Sequence, residues 1–210
     1  MFLNYRTTFY NDQVNEKATR TPSKLIGAEV LGAALDILNH EGPDGFTVRA
    51  IAQRANVAPM AIYNHFEGLN GVLEELWIQG FRIFNDALTF HTEDAKKDLY
   101  NAALGYRRFA LEHRGLYTVM FMRRFRYFLP SDGAIEVAYE SFQTFLRNVE
   151  RSQKAGWFKD AKAIDAAHVM WSACHGFVSL ELLGVNFSAD PADPDEAFQL
   201  LLLTLRDGFR

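Results

Sequence analysis

The stretch TVRAIAQRANVAPMAIYNHF, residues 47–66, holds two short apolar-periodic segments with a break where one helix ought to continue. Thr47 is placed to cap a first helix, Val48 to Ala55, with Ile51 and Ala52 facing inward. Asn56 then stands where a tight turn needs left-handed backbone, which Asn tolerates better than most residues. Ala58 and Pro59 open the second segment through the preference for proline in a first helical turn. Neither segment is long enough to be stable alone, so both must pack on something else. The preceding residues supply it. Thr21 and Pro22 read as a cap and first turn, and Ile26, Val30, Ala34, Ile37 and Leu38 recur at helical spacing until Gly42 and Pro43.

Helical periodicity continues beyond Phe66. Leu69, Val72, Leu73, Leu76, Trp77, Phe81, Phe84, Ala87 and Leu88 form a long amphipathic stripe, and Leu99 to His113 another. Leu116 to Met122 is short. Ile135, Ala138, Phe142, Phe145, Leu146 and Val149 mark a further helix ending at Gly156. Residues 161–183 are small or apolar almost all round, which demands burial on every side. Asp193, Pro194 and Glu196 read as the start of a last helix rich in Leu that also lacks a polar face, so a second chain is the expected cover. No internal repeat and no strand pattern stands out. The reading is an all-α chain: an arm over 1–20, a three-helix unit over 21–68, and a larger helical domain over 69–210.

Composition narrows the class. With 49% hydrophobic and 23% charged residues the chain is an ordinary globular one, and 18 Phe call for a large buried apolar surface. A net charge of −4 argues against a uniformly basic coat. The single Cys174 has no partner, which points to a reducing compartment. The first residues have neither an apolar signal region nor a cleavage site, and no apolar run is long enough to span a bilayer; a cytoplasmic protein without membrane association is expected. The six His are scattered, so neither metal nor cofactor is expected.

Two short helices about a tight turn, backed by a third, make a helix-turn-helix, whose second helix sets its first residues on base edges in a major groove. Pro59, Met60 and Ala61 would lie at the groove, able to touch thymine methyls. The Tyr63 hydroxyl and His65 imidazole suit phosphate oxygens, and the Asn64 amide suits a base or a phosphate. Thr47, Arg49, Arg20 and Lys24 complete the candidate DNA-binding set. On spacing alone the same residues also read as a plain helical hairpin with Ile51, Val57, Ile62 and Phe66 as its core. The pattern of Phe46, Thr47, Val48, Arg49, Ile51, Ala52 and Val57, and above all Tyr63, Asn64, His65 and Phe66, resembles the DNA-binding domain of the TetR family of transcriptional regulators over about 21–90. Asn56 stands where the family usually has Gly, and Leu69 where it usually has a Lys directed at a phosphate. From 20 to 66 the charges balance, four of each sign, so affinity is expected from helix N-termini, a few placed cations and dimeric avidity.

Trp171, followed at the family's spacing by His175 and Gly176, resembles the Trp, His, Gly signature of one TetR C-terminal subgroup. That resemblance implies a dimer bundle from the last two helices and an effector pocket enclosed by the others. Trp77, Phe81, Tyr106, Phe109, His113, Tyr117, Phe121, Phe142, Trp171 and His175 are the candidate ligand-binding residues, each of which also reads as ordinary core. Arg107, Arg108, Arg114, Arg123, Arg124 and Arg126 form a basic run with only Glu112 between them, either solvated surface or a partner for an anionic effector. No nucleophile with a base and no phosphate-cradling glycine loop is present, so an enzyme is not expected. The expected function is a dimeric repressor of a palindromic operator, released by a small apolar or aromatic effector. The rival reading is a helical hydrophobic-ligand sensor or carrier with weak or no DNA binding.

Overall fold

A computed structural model describes residues 23–122, 125, 127–158, 160–185 and 193–208. The expected arm, the capping pair Thr21 and Pro22, and Arg20, Arg123, Arg124 and Arg126 lie outside the described residues. Among the described residues the elements are α1 Ser23–His40, a 3₁₀ turn Pro43–Gly45, α2 Val48–Arg54, α3 Pro59–Phe66, α4 Leu69–Leu88, α5 Ala95–Glu112, α6 Arg114–Phe121, α7 Asp132–Lys154, α8 Ala163–Leu182 and α9 Pro194–Gly208.

The head forms for the local reasons read in the sequence. The Thr47 hydroxyl accepts from the Ala50 N–H at 3.1 Å, satisfying one of the first-turn donors of α2. At the other end Asn56 is left-handed, with φ 53°. The Val57 N–H reaches the Ala52 carbonyl at 3.0 Å and the Asn56 N–H reaches that of Gln53 at 3.2 Å, the paired closure of a Schellman motif. Val30, Ala34 and Ile37 of α1, Phe46, Ile51 of α2 and Ile62 of α3 are buried together as the head's core.

Helix α4 runs from this head into the body. Its first turn lies hard against the end of α3: a Cβ on Gly71 would stand 1.6 Å from the Phe66 carbonyl oxygen, so only glycine permits the approach. Val72, Leu73, Leu76, Phe81, Phe84 and Leu88 bury its inner face, and α5, α6 and α7 pack around it.

The α4–α7 contact differs from the sequence reading. Ile135, expected on the inward stripe, is 49% exposed. Small polar residues make the seam instead. Ser141 donates to the Phe81 carbonyl at 3.1 Å, Thr144 to Asn85 Oδ1 at 2.7 Å and Asn148 to the Leu88 carbonyl at 2.9 Å, while Ser152 ties α7 to α5 by donating to the Ala95 carbonyl at 2.8 Å. Short side chains that bond backbone let the two helices approach closely, an advantage that a hydrophobicity pattern does not register.

Asp98, wholly buried in the first turn of α5, anchors the α4–α5 loop. It accepts from the Thr92 hydroxyl at 2.7 Å, the Thr92 N–H at 2.8 Å and Arg151 Nη1 at 2.8 Å. Burial alone would raise its pKa, but the bonds from Thr92 and Arg151 outweigh that and hold it below its ordinary value. The expectation that α8 and α9 are covered on every side does not hold within one chain. Ile164, Val169, Leu180 and Leu183 on or just beyond α8, and Leu200 and Leu203 on α9, are exposed.

Candidate nucleic-acid interface and effector core

Helix α3 is fastened by one fully buried residue, Ile62, and turns its other side outward. Met60 is 63% exposed and Tyr63 51%, with Pro59, Asn64 and His65 exposed beside them and Ala61 half-buried. Arg49 is exposed in the first turn of α2. Thr47 is also exposed; its hydroxyl oxygen accepts as the α2 cap, and its O–H remains able to donate to a phosphate. Lys24 lies in the first turn of α1.

Pairing redistributes the head's charge. Arg54 is bonded to both Asp36 and Glu41, so this cation of α2 is engaged by two carboxylates of α1 and the turn that follows it.

In the body, all ten candidate ligand-binding residues fall into one connected cluster of rings. Phe84 stands at its centre, with ring centroids at 5.0 Å from both Tyr106 and Phe109, 5.6 Å from Trp171 and 5.7 Å from Phe121. Trp77 joins through Phe81, Phe142 through Trp171, His113 through Phe109, and Tyr117 and His175 through Phe121. Sequence reasoning does not single out Phe84: it shares the α4 stripe with the candidates Trp77 and Phe81, and periodicity does not show that it is the ring on which the others converge.

Three polar groups meet within the cluster. The Tyr106 and Tyr117 hydroxyls are 3.2 Å apart and lie 3.0 Å and 2.7 Å from His175 Nδ1. Burial raises both phenol pKa values, reinforced at Tyr106 by Tyr117, and burial lowers that of His175. All three groups are thus neutral near pH 7. A neutral imidazole with its proton on Nε2 lets Nδ1 accept from one phenol while the second phenol donates to the first. The neighbouring Cys174 thiol is pushed up to about 12 by burial and carries no thiolate.

The basic run serves different ends. Arg107 forks onto Glu181 at 2.8 and 2.7 Å, reaches Asp195 at 2.6 Å and lies 5.4 Å over the Phe198 ring, joining α5, α8 and α9. Arg108 and Arg114 are exposed. A second link connects the aromatic cluster to the head through α6: its Tyr117 and Phe121 lie in the cluster, while its Gly115 N–H donates to Asn39 of α1 at 2.8 Å. Just beyond α6, Phe125 meets Phe46 of the head at 5.2 Å. Neither contact joins residues that a local pattern relates. Among the described residues no group of three or more metal-ligating side chains converges, and no helix is long and apolar enough to cross a membrane.

Residues 30–76 match the family described as "Bacterial regulatory proteins, tetR family", and residues 99–205 match "Tetracyclin repressor-like, C-terminal domain". The chain belongs to the TetR family. It is a transcriptional regulator with an N-terminal helix-turn-helix DNA-binding domain and a C-terminal helical ligand-binding domain. It is 28% identical over 197 residues to an uncharacterised helix-turn-helix transcriptional regulator of Mycobacterium tuberculosis, covering 91% of this chain and 85% of that one. Against the class D tetracycline repressor of Escherichia coli it is 30% identical over 93 residues, covering 44% and 43%. Among solved structures, a protein of unknown function from Rhodococcus sp. RHA1 superposes with a TM-score of 0.72 at 25% identity, over 94% of this chain and 98% of that one.

Proposed function

We propose that this TetR regulator is a homodimeric repressor that binds a palindromic operator and is released by a small, uncharged aromatic or apolar effector. The observation that carries the DNA reading is the outward face of α3, where Met60, Tyr63 and Asn64 stand exposed around the single buried anchor Ile62. Met60 and Tyr63, one turn apart, offer an apolar and aromatic face that a groove can cover. Residues 21–68 act as the reading head, with Pro59, Met60 and Ala61 at base edges and Thr47, Arg49, Tyr63, Asn64 and His65 positioning it on phosphates, Arg20 and Lys24 adding contacts. Residues 69–210 bind effector and pair the two chains through the exposed Ile164, Val169 and Leu180 of α8 and Leu200 of α9.

The aromatic cluster is the effector site, and the three polar groups that meet in it, Tyr106, Tyr117 and His175, are neutral, so an uncharged ligand that offers one hydrogen-bonding group to them suits it. Trp171 and His175 sharing that cluster agrees with the Trp, His, Gly subgroup. Because the rings are packed on one another, a ligand enters by displacing some of them, and those on α6 move the helix whose first turn is bonded to Asn39. The effector must favour the released form by about 5 kcal/mol for a near-complete switch.

Selection of bound sequences from a random duplex pool by the purified protein at fixed salt tests this. A palindrome should emerge and be lost with Tyr63→Ala and His65→Ala. Recovery of no sequence by a folded dimer would favour the sensor or carrier reading, which Leu69 in place of a phosphate-directed Lys supports.

A further inference from the structure

On the flank of the body, remote in sequence from the reading head and sharing no residue with the aromatic cluster, the start of α5 and the last turns of α9 enclose an open groove of about 380 Å³. At its inner end it deepens into a small pit of about 50 Å³. Groove and pit share Tyr100, Trp157, Leu203 and Arg206, and the pit is floored by Phe158 and Met170, both buried. The rim is cationic: Lys96, Lys97 and Arg206 all line the opening.

We infer that this groove is a binding site for a medium-chain acyl carboxylate, with the chain end in the pit and the carboxylate between Lys96, Lys97 and Arg206.

Three independent features support the assignment. First, Lys96 and Lys97 lie in the first turn of α5, where the positive end of the helix dipole disfavours cations. Asp94 caps that turn and Asp98, its one acid, is committed to Arg151 and Thr92. Among the described residues neither lysine forms an ion pair with a carboxylate, and Lys96 lies 5.7 Å over the Trp157 ring. Arg206 is forked by the adjacent Asp207, through Nε at 2.8 Å and Nη2 at 3.0 Å, and is exposed, so Nη1 is the group it turns to a ligand. Two cations placed against local preference over an apolar hollow are complementary to an anion with an apolar body.

Second, the floor is built at a cost. Phe158 is left-handed, with φ 51°, a conformation that a bulky residue adopts only when its surroundings hold it there. Gln153 does so by donating to the Phe158 carbonyl at 2.9 Å and the Ala161 carbonyl at 2.8 Å. The result is a buried aromatic ring at the bottom of the pit. Third, the volumes select size: the outer groove lies at the low end of small-ligand sites, and the pit is too narrow for a second ring.

The test uses the full-length protein, with sodium octanoate and its neutral counterpart 1-octanol as probes and tryptophan fluorescence as readout. Octanoate should bind saturably and more tightly than octanol, and Trp157→Phe should abolish most of the signal. Replacing the three rim cations together (Lys96→Gln, Lys97→Gln, Arg206→Gln) should weaken octanoate about tenfold, the sum of three exposed ion contacts, and leave octanol unchanged. Lys97 and Arg206 are exposed and Lys96 is half-buried at the rim, so folding is retained and is checked by circular dichroism. Absence of saturable octanoate binding would overturn the assignment. So would an octanoate affinity indifferent to the rim substitutions, or a signal that survives Trp157→Phe, which would place the ligand beside Trp77 or Trp171 in the aromatic cluster.

Discussion

Replacing Arg107 by Met should destabilise the protein by about 3 kcal/mol, and most of that loss should come from Glu181 rather than from Arg107 itself. Arg107 is 13% exposed and Glu181 17%, and two hydrogen bonds of 2.8 and 2.7 Å join them between α5 and α8. Removing one partner of a fully buried pair costs about 3–5 kcal/mol, because the other is left charged and poorly solvated. Residual exposure moves this site to the lower end of that range. Asp195, the third member, is 74% exposed, so its share is under about 1 kcal/mol. Met retains the aliphatic contact over Phe198, which isolates the charge from the packing.

A double-mutant cycle with Glu181→Met separates the contributions, read by urea unfolding at one protein concentration because association contributes to stability. The double variant should be less destabilised than the sum of the singles by at least about 1.5 kcal/mol, since it leaves no buried charge. Additive losses would refute the reasoning and mean that Arg107 acts through packing alone. A cost below about 0.5 kcal/mol for Arg107→Met would mean that water reaches the pair and screens it.

Other consequences are as direct. Asp98 has a folded pKa below its unfolded value, which is near 4, so its stabilisation is complete above that value and is lost as pH falls through the folded one. Asp98→Asn should flatten acid unfolding in that window, followed by tryptophan fluorescence. His175 is depressed by burial, so its neutral form stabilises the fold above the unfolded pKa near 6.5, and this is lost as pH falls toward the lower folded value. His175→Gln should reduce the change in melting temperature between pH 7.5 and 5.5. In the head, Asn56→Gly should be tolerated, whereas Asn56→Ala should cost about 1 kcal/mol through its left-handed backbone, measured as a drop in melting temperature.

Local chemistry made much of this fold legible. Thr47, Asn56 and Pro59 each act within a few residues of their own position, through a cap, a left-handed turn and a first-turn ring, so the break between α2 and α3 is written in sequence. The same holds for the all-helical class, since a stripe at helical spacing depends only on the helix that carries it. The aromatic cluster was legible in part: its members could be named as inward-facing, but their convergence on Phe84, a residue that reads as ordinary core, comes from packing.

What only the tertiary structure decided are relations across distance. Arg107 reads as one member of a basic run until Glu181 and Asp195 are placed beside it, and only the fold brings Arg206 and Leu203 of α9 to the same groove as Lys96. The polar seam of α7 against α4, and the bond from Gly115 to Asn39, join residues far apart in the chain. Hydrophobic periodicity records which side of a helix avoids water, and capping residues record where it starts and stops. Neither records which helix lies opposite, because that choice is made by shape, by hydrogen bonds between elements and by the pairing of charges only the folded chain brings together.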